Sequence, residues 1–161
     1  MAWFRRGEQP PALPGLEPGE RVVSWADTAD GAVVAVTPLG LWWVDGRRIG
    51  WQFVNKVTWR DGVLSVVEAE LVDDLLLVDR RPVSAELSVP RDLPPTVRKR
   101  VEGNIVTREL LAAPGGSVRF VARRRPGQDG LAWWAHLEDG TPDTPELRSA
   151  VAARLSILRA G

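Results

Sequence analysis

Between Glu20 and Val89 the chain carries short runs in which apolar and polar residues alternate with a period of two, the pattern of strands that bury one face. Glu20–Asp27 (ERVVSWAD) reads as a first strand with Val23 and Trp25 on one face. Asp30-Gly31 reverses it into Ala32–Thr37 (AVVAVT), which Pro38 and Gly40 end. Leu41–Val44 (LWWV) is a short aromatic strand closed by Asp45-Gly46. Arg47 and Arg48 then lead into Ile49, Gly50 and Trp51, and Phe53, Val57 and Trp59 precede a second reversal at Asp61-Gly62. Two hairpins therefore follow closely, and half of the eight tryptophans fall between Leu39 and Asp61.

The alternation resumes in Val63–Glu70 (VLSVVEAE). Leu71–Asp79 (LVDDLLLVD) reads either as a strand broken at Asp73-Asp74 or as a hairpin turning there, and a turn followed by a buried strand Leu75–Val78 is favoured. Val83, Ala85, Leu87 and Val89 share a face in the next segment, which brings the count to about seven strands. The period then changes. Asp92 stands where an N-cap belongs and Pro94 suits a first turn. Val97, Val101 and Ile105 recur every four residues, which predicts a helix whose apolar stripe faces inward while Arg98, Lys99 and Arg100 meet solvent.

Beyond it, Arg108–Ala112, Ser117–Arg125 and Leu131–Asp139, separated by Pro114-Gly115-Gly116 and Pro126–Gly130, predict a three-stranded meander. A second helix starts at Asp143 or Thr144, with Pro145 in its first turn and Leu147, Val151, Leu155 and Leu158 as its stripe. Residues 1–18 carry Pro10, Pro11, Pro14 and Pro18 and read as a flexible lead-in. The predicted organisation is mainly β (α+β). The lead-in is followed by a seven-stranded barrel with a capping helix over 19–108, and by a β-meander plus helix over 109–161 packed on the barrel.

Composition narrows the chemistry. With no cysteine, disulfides, thiol catalysis and zinc-thiolate sites are excluded, and a lone His136 makes a transition-metal site improbable, so no metal and no cofactor are expected. The 21 basic and 21 acidic residues leave no net positive field, so no specific nucleic acid is expected as a partner. No apolar run approaches the roughly 20 residues of a membrane-spanning helix. Met1–Pro11 also lacks the apolar core of a secretory signal, which points to a cytoplasmic location.

Thr37, Gly40, Leu41, Ile49, Trp51, Val54 and Val57 follow an order that resembles bacterial pleckstrin-homology-like domains of the GRAM and related types. In these a threonine precedes a Gly-hydrophobic strand and the next strand carries an Ile-Pro-aromatic or Ile-x-Trp step. Gly50 departs by standing where proline is common. The resemblance covers roughly 19–108 and implies a barrel of seven strands with a capping helix. It implies engagement of proteins, peptides or membrane surfaces, while the basic phosphoinositide loop of the eukaryotic relatives has no clear counterpart here. Such scaffolds host many tasks, so function has to be read from sites.

No catalytic constellation emerges. Asp73 and Asp74 read as a solvated turn, and His136 lacks a Ser/His/Asp motif. Gly115-Gly116 and Gly127–Gly130 precede strands instead of helices, so their amides are not phosphate cradles. What remains is a local cationic cluster, Arg123, Arg124 and Arg125, beside a loop, with Trp134 expected to project from the face opposite Trp133, so that one of the two is placed for stacking or an interface. At the N-terminus Trp3, Phe4, Arg5 and Arg6 combine interface-seeking aromatics with cations, the chemistry of a weak contact with an anionic membrane surface. The expected function is a non-catalytic binding or adaptor module for a protein partner. The alternative is a peripheral membrane module working through that tip, and an enzyme of unrecognised type is the weakest reading.

Overall fold

A computed structural model of the chain describes residues 8–125 and 128–161. Trp3, Phe4, Arg5 and Arg6 lie outside the described residues. The elements are β1 (Ser24–Thr28), β2 (Val33–Thr37), β3 (Gly40–Trp42), β4 (Arg48–Gly50), a single 3-10 turn (Trp51–Phe53), β5 (Val54–Arg60), β6 (Val63–Val72), β7 (Leu76–Asp79), β8 (Val83–Val89), α1 (Leu93–Gly103), β9 (Ile105–Ala113), β10 (Gly116–Arg124), β11 (Leu131–Leu137) and α2 (Pro145–Ala160). The fold is mainly β, as the alternation predicts. It divides into two compact units, the first taking the described residues to Glu68 with Pro82–Gly103, the second Ala69–Arg81 with Asn104–Gly161.

In the first unit the strands pair in the order β4-β3-β2-β1-β8-β6-β5, every pair antiparallel. Asp61-Gly62 turns β5 into β6 with both residues at positive φ, which fits the right-handed twist of a tight hairpin and which glycine adopts without strain. At Gly40 the need for glycine is spatial: a Cβ there would sit 2.4 Å from the Ile49 carbonyl oxygen, because β3 and β4 approach closely. The barrel expected over this stretch is not closed. Among the described residues no pairing joins β4 to β5, and β4 offers only three residues of edge before the 3-10 turn carries the chain away.

The core of this unit collects Leu41, Ile49, Trp51, Val54, Leu64, Val66 and Leu87, and α1 adds Leu93 and Val97. Val101 packs on it only in part, and α1 ends at Gly103, so Ile105, expected to continue the helical stripe, opens β9 instead. The Asp92 carboxylate accepts a hydrogen bond from Ser24 Oγ at 2.5 Å and so ties the helix start to β1. Trp25 turns to the other side of the sheet, where it forms a second cluster with Ala35 and Trp42, while Val23 packs on the main core; the two do not share a face. Leu13 and Leu16 of the proline-rich segment pack on that second cluster. Trp25 and Trp51 are buried, and Trp59 is half-buried.

The second unit takes the last part of β6 and orders its strands β6-β7-β11-β10-β9. Asp73 and Asp74, both at positive φ, make the β6–β7 reversal. The three-stranded meander forms as expected, but β7 joins it through a parallel pairing, Ala135 opposite Leu76 and His136 opposite Leu77. On one face Leu76, Val118, Phe120 and Ala135 pack against Leu147, Val151 and Leu155 of α2, with Leu111, Trp133 and Leu158 at the margin. Thr144 is the N-cap of α2; its Oγ1 accepts from the Leu147 amide at 3.1 Å, and Pro145 follows in the position where no amide is missed.

Candidate binding groove

The three consecutive arginines are separated by strand alternation and burial. Arg123 stands opposite Ala132 in the β10–β11 ladder, on the face away from α2, and is only 5% exposed. Burial, with Arg119 and Arg108 adding like charge, pulls its pKa down to about 10. It is therefore no surface cation. Arg124, the last residue of β10, and Arg125 beyond it are exposed.

Trp133 and Trp134 point to opposite faces of β11, as the alternation predicts. Trp133 packs at the margin of the α2 core, while Trp134 sits opposite Val121. Both reach one groove at the start of β11 and the end of α2, with a volume of about 580 Å³. Leu131, Ala132 and Leu158 supply the rest of its apolar lining, and Arg125, Gly130, Arg159 and Gly161 its rim. Its ionisable side chains are both guanidinium groups. Arg159 is held in place by donating from Nη2 to the Trp133 carbonyl oxygen at 2.9 Å. An apolar floor with a few convergent polar groups, within the roughly 300–1,000 Å³ of ligand clefts, can take up an apolar side chain beside a carboxylate or phosphate. Of the residues singled out in the sequence, Arg125 and Trp134 meet here and Arg124 and Arg123 do not. Leu158 and Arg159 are not singled out in the sequence, where they read only as the amphipathic end of a helix.

His136 lies opposite Arg119 on β10 and Leu77 on β7, 2% exposed. Neither ring nitrogen has a hydrogen-bond partner among the described residues. Burial, reinforced by Arg119 and Arg123, lowers its pKa to about 3, so the imidazole is neutral at ordinary pH and a feeble base. Asp73 pairs with Arg148, which also holds Asp143 at 2.8 Å. The Arg148 guanidinium, bonded to Asp143, keeps that carboxyl below its ordinary range. Among the described residues no group of three or more His, Cys, Asp or Glu could hold a metal ion. Among the described residues no helix is long and apolar enough to cross a membrane.

The first unit holds a polar cluster with a structural role. Glu20, its side chain shielded from solvent, accepts from Thr37 Oγ1 at 2.6 Å, Trp42 Nε1 at 3.1 Å and Arg48 Nη1 at 2.7 Å. Burial pushes its pKa up, but the hydrogen bonds and the Arg48 charge outweigh it and leave the carboxyl below its ordinary value. Arg91 similarly stacks over Trp25 at 4.7 Å while pairing with Glu8 and Asp27. These residues fasten the lead-in and present no open site.

No protein-family model, curated protein or solved structure matches this chain.

Proposed function

We propose that the chain is a non-catalytic protein-interaction module. In this reading the first unit is a pleckstrin-homology-like scaffold and the groove of the second unit receives a segment of a partner protein. The scaffold reading is supported by seven strands, counting the first part of β6, with one helix packed against β1, β2 and β5. The groove carries the functional reading. Two tryptophans and two arginines are among the residues that line it, and aromatic and Arg side chains are the groups that dominate binding energy at protein interfaces. A partner segment with an apolar or aromatic side chain next to an acidic one fits that lining.

Affinity capture with the full chain, compared with Trp134→Ala and Arg125→Glu, tests the proposal, with partners identified by mass spectrometry. A protein retained by the parent and lost with both variants, at unchanged melting temperature, supports it. Equal capture by all three removes the groove from the reading. Cosedimentation of the full chain with anionic vesicles, with no protein partner captured, would favour a membrane surface instead.

A further inference from the structure

We propose that β9 is a self-pairing edge, through which two copies of this chain join their second-unit sheets antiparallel about a two-fold axis at Leu110. This inference is independent of the groove.

β9 ends the strand order, paired on one side by β10 and by no strand on the other among the described residues. An edge strand leaves every second amide and carbonyl without a partner, and proteins usually blunt such edges with shortness, lysine, proline or a bulge. β9 is nine residues long against a usual five or six, and holds no Lys, Pro or Gly. Its irregularity lies at the Ile105 end, where the register with β10 shifts, so Thr107–Ala113 runs regularly. Within that run Leu110 is 67% exposed. On the α2 side of the sheet, Arg154 reaches Glu109. Ile157, one helical turn further along the same flank of α2, is 61% exposed. Leu110 on the edge strand and Ile157 on α2 are thus both exposed apolar side chains.

Charge restricts the register that a second copy can take. A two-fold antiparallel pairing centred on Arg108 would set it against its own copy, and one centred on Glu109 would do the same with carboxylates, and like charges directly opposed are destabilising. Centred on Leu110, the pairing sets Leu110 on Leu110, Arg108 on Ala112, Glu109 on Leu111 and Thr107 on Ala113. It covers the whole regular run and opposes no like charges. A C2 contact of this isologous kind closes on itself.

The absence of native cysteine allows a direct test with the full chain. In sedimentation velocity the parent should dimerise with rising concentration, and Leu110→Lys and Leu110→Glu should each weaken self-association by roughly tenfold. Mixing the two should restore a heterodimer. Under mild oxidation Leu110→Cys should cross-link to its copy, and Arg108→Cys, which faces Ala112 in this register, should not. A monomer at all concentrations, a dimer indifferent to both charge variants, or cross-linking at 108 in preference to 110 would overturn the proposal. Leu110 is exposed in the single chain, so melting temperatures close to the parent's should accompany the variants.

Discussion

This protein should lose stability in mild acid, and replacing His136 by leucine should remove that loss. The imidazole has a pKa of about 3 in the fold against 6.5 unfolded, because it is buried beside Arg119 and Arg123. A base whose folded pKa is depressed binds its proton first in the unfolded state. Stability is then fully present above pH 6.5 and falls as pH drops towards 3. One proton taken up by the unfolded chain alone costs about 1.4 kcal/mol per pH unit, so roughly 2.7 kcal/mol is lost by pH 4.5. For a chain of this size that is a drop in melting temperature on the order of 5–10 °C. The window is clean because His136 is the only histidine. Glu20, Glu109, Asp30 and Asp143, whose pKa values lie below the ordinary 4.5 and 3.8, release their contributions at lower pH. Urea unfolding at several pH values from 7.0 to 4.5, parent against His136→Leu, measures the slope. The variant should be nearly flat. At pH 7 it should match or exceed the parent, since leucine replaces two ring nitrogens that lack partners. An equal slope in both proteins would refute the assignment and mean that the ring is solvated.

Val97→Asp should destabilise by about 3–5 kcal/mol, because Val97 is fully buried and the carboxylate would find no partner, whereas Val101→Asp at a half-buried position should cost clearly less; equal midpoints in urea for the two would mean that α1 docks by another face. Glu20→Gln keeps the shape but loses the charge that Thr37, Trp42 and Arg48 donate to, and should lower stability at pH 7 by about 1.5–3 kcal/mol. Because the Glu20 pKa is lowered in the fold, its contribution is present above the ordinary value of 4.5 and lost below it, so parent and variant should converge in acid; a constant gap down to pH 3 would argue against the cluster.

What alternation and turn residues encode was readable in this chain. Asp-Gly reversals, the meander, the N-cap region of α2 and the α2 stripe all depend on residues near one another in sequence, and each forms where the local chemistry directs. The groove was readable in half. Trp134 and Arg125 stand in a visible aromatic and basic context, but Leu158 and Arg159 join them only through the packing of α2 on β11. The burial of Arg123 was hidden for a similar reason: three consecutive arginines look like one cluster, and only the partners across the ladder decide which one goes inside.

The departure from a closed barrel turns on β6. Its alternation breaks at Val66-Val67, and the buried positions pass from Leu64 and Val66 to Ala69, which is where the strand changes partners. Val63–Val66 pair with β8 and Val63–Glu68 with β5, whereas Ala69–Val72 pair with β7. The choice is made by Asp73-Asp74, which fold the chain back at positive φ and commit the end of β6 to a local hairpin. β7 then has its other edge free, and β11 takes it in parallel, burying Leu76 and Leu77 completely. Parallel neighbours are far apart in sequence and share no turn, so their pairing follows only from the demand that two wholly apolar residues on adjacent strand positions both be covered. Leu75-Leu76-Leu77-Val78 breaks the alternation for that reason. A run apolar on both faces marks an interior strand, and the same run, placed at the edge of a small barrel, would have left one of its faces in water.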